Sequence, residues 1–151
     1  MNRLQGLFVF ALVACGGPPD PTIQTALFRF DVSDPVRPNM TRPPVGTVYG
    51  NLFLSEDVSV SGPRNGAEEF GYVEIQVDLT NGISAAENGF TTGKLAPNSY
   101  TFLGFLDSNG NAGTAKDPDP GDLATLPYTN KFAITDGGQS KKTIVFDLIY
   151  N

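Results

Sequence analysis

Six oxygen-bearing side chains crowd one stretch of this sequence. Asp107, Asn109 and Asn111 recur at i, i+2 and i+4, and Asp117, Asp119 and Asp122 follow in the same segment. Calcium loops begin with that spacing, because calcium gathers roughly six to eight hard oxygens from carboxylates and amide carbonyls. An EF-hand loop starting at Asp107 needs Gly at position 112 and Glu at 118, where this chain has Ala112 and Pro118. It is not an EF-hand. A second reading competes with calcium: Asp and Asn also close turns by bonding their side chains to nearby backbone N–H groups. In favour of the ion, clustered carboxylates repel one another, and a connection of about 20 residues in a compact domain is usually functional or disordered. The candidate metal ligands are therefore Asp107, Asn109, Asn111, Asp117, Asp119 and Asp122, and Ca2+ is the one cofactor expected.

Other chemistry has less to stand on. The chain has no His, which removes the usual general base and the commonest transition-metal ligand. There is no G-x-S-x-G motif, and Ser140-Lys141 reads as a hairpin turn. Glu68-Glu69 are adjacent, so in an extended chain they point to opposite faces and cannot converge on one atom. No catalytic residue is assigned, and an enzyme is not expected. The formal charge of −6 argues against a nucleic-acid partner, which requires a basic patch.

The elements that must position the loop are strands. Long Ala/Leu/Glu/Lys runs are missing, while Gly and Pro are plentiful. Tyr100, Phe102, Leu103, Phe105 and Leu106 put apolar groups on both faces of a central strand that feeds Asp107, and Gly104 leaves a gap in it. Phe70–Thr80 alternates, with Val73, Ile75, Val77 and Leu79 inward and Glu74, Gln76, Asp78 and Thr80 in water. Thr25–Val32 does the same through Ala26, Phe28, Phe30 and Val32. Thr47–Leu54 is a strand around Gly50, and Val58 and Val60 suggest a short one. Tyr128–Thr135 and Thr143–Tyr150 complete the set, the latter with Ile144, Phe146 and Leu148 inward. Ser84–Asn88 is a candidate helical turn, and Asn81-Gly82 and Asp136-Gly137-Gly138 are turns. The expected fold is all-β: a single antiparallel β-sandwich of about seven strands.

Two resemblances extend this reading. Arg3, the apolar run Leu4–Val13 and Leu12-Val13-Ala14-Cys15 resemble a bacterial lipoprotein signal with its lipobox. The resemblance implies cleavage after residue 14, acylation of Cys15, and a membrane partner reached through that lipid anchor. Gly16 after the cysteine implies outer-membrane delivery. Residues 1–14 are then a signal peptide, 15–22 a Gly/Pro-rich tether and 23–151 the sandwich, and loss of Arg3 takes the charge from −6 to −7. Within the domain, Leu95-Ala96-Pro97-Asn98-Ser99-Tyr100-Thr101-Phe102, the following Phe105–Asn111 run and Gly46–Gly50 resemble the transthyretin-like and carboxypeptidase regulatory-like sandwiches. Asn98 stands where that family prefers Gly. Its 5-hydroxyisourate hydrolase branch uses histidines, which this chain lacks.

The expected role is a non-enzymatic, calcium-stabilised structural or interaction module of the cell envelope. The alternative is a carbohydrate-binding sandwich that takes a glycan on aromatic platforms, with Tyr49, Phe53, Tyr72 and Tyr128 as candidates.

Overall fold

The structure is a computed structural model that describes residues 24–85, 88–135 and 139–151. Cys15, the signal 1–14 and the tether 15–22 lie outside the described residues, as do Ala86 and Glu87 of the expected helical turn and the turn at Asp136-Gly137-Gly138. The domain is all-β. Its strands are β1 (Ala26–Val32), β2 (Val45–Leu54), β3 (Val58–Ser59), β4 (Gly62–Pro63), β5 (Gly71–Asp78), β6 (Phe90–Thr91), β7 (Asn98–Asp107), β8 (Leu123–Thr125), β9 (Lys131–Ile134) and β10 (Ser140–Ile149). An eight-stranded sheet runs β5-β2-β7-β8-β10-β1-β6, with β9 beside the start of β7, and β3 and β4 form a separate hairpin.

The sheet folds over on itself as a nearly closed sandwich because β1 and β7 each carry a row of aromatic rings that must leave water. Phe28 meets Phe132 at 5.2 Å and Phe102 at 5.9 Å, edge to face, and Phe30 stacks on Phe146 at 6.4 Å. Every alternate residue of β1 from Ala26 to Val32 is buried, as its period of two requires. In β5, Val73 and Val77 are buried while Glu74, Gln76 and Asp78 face water. Such burial, at about 25 cal/mol per Å² of apolar surface, is the main force holding the layers together.

Strand β7 is the centre. It pairs with β2 from Leu54↔Tyr100 to Thr47↔Asp107, and on its other edge with β9 and then β8. The gap at Gly104 is filled from within: Gly104 lies opposite Gly50, and a Cβ on either residue would overlap the Phe102 ring.

Three features differ from the sequence expectation. β1 and β10 pair in parallel, from Ala26↔Ser140 to Val32↔Phe146. A parallel pair needs a long crossover, and here nearly the whole domain supplies it. Leu148 is exposed rather than inward, because the β8–β10 register shifts between Phe146 and Leu148, and Ile149 packs on the core instead. A bulge of this kind turns the following side chains over. Val60 lies past the end of β3 and is 87% exposed.

Polar side chains finish two strand edges. Ser84 and Thr92 accept hydrogen bonds from the Phe30 and Ala26 N–H groups, both at 2.9 Å. Asn130 is fully buried and acts as a stretch of strand: its amide donates to the Val145 carbonyl at 2.9 Å, and its oxygen accepts from the Val145 N–H at 2.8 Å.

Candidate functional site

The loop after β7, residues 108–122, starts at a carboxylate that is nearly buried. Asp107 is 3% exposed, and its oxygens face the backbone of the segment that follows. Oδ1 accepts from the N–H groups of Asn109 (3.2 Å), Gly110 (2.7 Å) and Asn111 (3.3 Å), and Oδ2 from that of Ala112 (3.1 Å). Gly110 has φ +75°, which lets the chain curl around the carboxylate. Asp122, fully buried, ties down the far end by accepting from Ser108 N–H at 3.2 Å and Asp119 N–H at 3.1 Å. Burial pushes the Asp122 carboxyl above the ordinary range, and the nearby Asp119 and Asp107 charges push the same way. Asp119 moves down, chiefly because the Asn111 amide donates to it, with Asn109 adding two longer bonds of 3.1 and 3.3 Å.

Five of the six expected calcium ligands therefore do come together, but as donors and acceptors for one another and for the backbone. Asp117 stands apart from this network and lines the groove described next. Among the described residues, no group of three or more His, Cys, Asp or Glu side chains is disposed to hold a metal ion. In this conformation Asp107, Asn109, Asn111, Asp119 and Asp122 serve turn chemistry.

The outer face of β7 explains the rest of the loop. Apolar residues on both faces of β7 suggested burial between two layers, yet only one face meets the core. On the other, Leu103 and Phe105 of β7, Tyr49, Asn51 and Phe53 of β2, and Ala124 and Thr125 of β8 form the floor of a groove of about 830 Å³. Tyr72 of β5 stands at one end, with Leu148 and Tyr150 at the other. The walls are Pro63 of the β3–β4 hairpin and the strap Ala115–Pro118, folded back from the loop. Five adjacent strands carry the floor, about 19 Å across the hydrogen-bonding direction.

Rings dominate the lining. Tyr49 and Phe105 lie 5.6 Å apart in the floor and are almost buried. Tyr72 and Tyr150 are 48% and 39% exposed. Asn51 Oδ1 is buried without a hydrogen-bond partner among the described residues. A hydroxyl donor from an occupant is the kind of partner it lacks. Lys116 reaches over the floor, its Nζ 4.2 Å from the Tyr49 ring centroid and donating to the Tyr49 hydroxyl at 3.1 Å. That hydrogen bond is the main reason the ammonium holds its proton more tightly than usual, with Glu74 helping from 3.9 Å.

Of the aromatic candidates, Tyr49, Phe53 and Tyr72 thus share one groove. Tyr128 does not: it is 69% exposed in a separate hollow with Val58, Pro127 and Lys131. Sequence reasoning missed Phe105, Tyr150, Asn51 and Lys116. For Phe105 the signal was present, since it alternates with Phe102 and so had to face away from the core. Comparison with protein-family models, with curated proteins and with solved structures gave no match.

Proposed function

We propose that this domain is a non-enzymatic binding module of the cell envelope, and that the groove across β5-β2-β7-β8-β10 takes a glycan chain. The observation that carries the reading is the convergence of Tyr49, Phe53 and Tyr72 with Tyr150 along one open channel. Sugar rings present an apolar face and a rim of hydroxyls. They suit a site in which aromatic faces alternate with a few polar groups such as Asn51 and Thr125. The end-to-end course of the channel, with an exposed tyrosine at each end, favours a chain over a single sugar. The charged side chains lining it are Glu69, Lys116 and Asp117.

The reading includes a lipid anchor at Cys15, supported by the lipobox-like residues before it. Among the described residues no helix is long and apolar enough to cross a membrane. Two acyl-bearing groups at one terminus would give stable attachment. Intact-mass measurement of the protein from membranes tests this: an unmodified Cys15 would rule the anchor out.

Screening the purified domain against a glycan array tests the groove. Wild type should retain a subset of glycans that Tyr72→Ala and Tyr150→Ala bind at least ten-fold more weakly, while Tyr128→Ala matches wild type. Equal loss in all three variants, or retention only through Tyr128, would place binding elsewhere.

A further inference from the structure

The occupant of the Tyr49 ring face is a clue to what the groove recognises. An ammonium sits there already, supplied by the chain itself. We propose that the Tyr49 ring and hydroxyl, with Glu74 positioned by Tyr72, form a subsite for a primary ammonium group, which Lys116 fills when no ligand is bound. The inference rests on the groove being a glycan site only for the identity of the ligand, an amine-bearing (non-acetylated) amino sugar chain.

The parts are those an ammonium requires. A ring face attracts a cation electrostatically, and Lys116 Nζ lies 4.2 Å from the Tyr49 centroid. The Tyr49 hydroxyl accepts one of its three N–H bonds at 3.1 Å. The Tyr72 hydroxyl donates to Glu74 Oε2 at 3.0 Å and so fixes the carboxylate with Oε1 toward the ammonium. At 3.9 Å that oxygen is within ion-pair range but too far for a hydrogen bond, so Lys116 does not use the whole subsite. Glu69 and Asp117 line the same groove, and this acidic surround favours a cation and repels an anionic sugar.

Lys116 is also an uneasy tenant. Among the described residues it is the one non-glycine with positive φ, at 55°, where its Cβ crowds the backbone. Gly113 at φ 59° and Gly121 at φ 101° flank the strap with residues that turn freely. The Lys116 side chain bonds through its tip, to Tyr49 and Glu74, and an external amine can compete for that seat. A seat filled nine times in ten lowers apparent ligand affinity about ten-fold.

Lys116→Gly is the informative variant, because glycine accepts the existing backbone conformation while vacating the subsite. With tyrosine rings isotopically labelled, n-butylammonium chloride should shift the Tyr49 and Tyr72 resonances of Lys116→Gly at concentrations at least ten-fold lower than in wild type. Adding Glu74→Gln to Lys116→Gly should remove the gain. Lys116→Gln, which keeps the stem and loses the charge, serves if the glycine variant does not fold. The proposal is overturned if a folded Lys116 variant responds to butylammonium no better than wild type, or if Glu74→Gln leaves the gain intact. Glucosamine oligomers and their N-acetylated counterparts then separate the two claims. A ten-fold gain for the free amines alone supports both, and equal binding of the two oligomers by every variant keeps the groove and overturns the amino sugar as the subsite's ligand. Response to butylammonium with neither oligomer bound keeps the subsite and overturns the glycan reading.

Discussion

Replacing Asp107 by alanine separates a loop held by its own backbone from one held by a metal ion. The carboxylate accepts four N–H groups, of which Gly110 at 2.7 Å makes the best bond. Asn111 N–H keeps a second acceptor, Asn109 Oδ1 at 3.0 Å, so three donors lose their partner. Hydrogen bonds to a charged group contribute about 1.5–3 kcal/mol each, but those at the exposed Asn109 and Gly110 recover part of that from water. Removing the charge also relieves Asp122, whose carboxyl is pushed up partly by Asp107. The net loss for Asp107→Ala should be about 2–3 kcal/mol. For a domain of this size that lowers Tm by roughly 4–12 °C, at roughly 2–4 °C per kcal/mol. Asp107→Asn, which retains one acceptor oxygen, should lose about half as much. Differential scanning calorimetry in chelator measures both, and wild type should melt at the same temperature in chelator and in millimolar calcium. If wild type gains several degrees from calcium while Asp107→Ala matches wild type in chelator, the loop is an ion site and the capping account is wrong.

Two further predictions concern polar groups. Asn130→Ala leaves the part-buried N–H and carbonyl of Val145 without their partner and should cost about 1–3 kcal/mol in urea unfolding. A loss below about 1 kcal/mol would show that water replaces the side chain. The loop's pH dependence should carry two opposite signs. Asp119 is held below 3.8, chiefly by the Asn111 amide, so its contribution is present above that value and is lost as pH falls through the lowered one. Asp122 is raised above 3.8 by burial, so the folded state binds its proton more tightly and stability declines as pH rises through the raised value. Asp119→Asn should therefore flatten the acid side of the stability profile, and Asp122→Asn the decline above it. Identical profiles for the two variants would contradict the assignment.

The strands were legible where burial has a simple period. β1 and β5 each bury one face, so Phe28, Phe30, Val73 and Val77 announce themselves by alternation. Leu148 did not, because the bulge that turns it outward arises from pairing with β8, a strand of three residues. The parallel pairing of β1 with β10 is likewise non-local. At the loop, the spacing of Asp107, Asn109 and Asn111 marked an oxygen cluster correctly without saying what it surrounds. The same i, i+2, i+4 pattern serves a cation or a ring of N–H dipoles, and the N–H groups around Asp107 come into view only with the fold. Tyr49, Phe53 and Tyr72 could be singled out as aromatic, but the groove exists because the strap brings Lys116 back over β2, a contact 67 residues apart in sequence. Asn130 resembles any turn asparagine until Val145 is placed beside it.

The five tyrosines allow the central claim, a glycan in the groove, to be tested in one measurement. Tyr49, Tyr72 and Tyr150 line the groove, Tyr100 is buried in the core, and Tyr128 lies in the separate hollow. Protein labelled only at tyrosine rings, titrated with the best glycan from the array, should show the Tyr49, Tyr72 and Tyr150 resonances moving together along one binding curve, while Tyr100 and Tyr128 stay still. A saturable shift confined to Tyr128, or binding that leaves all three groove tyrosines unmoved, would contradict the account.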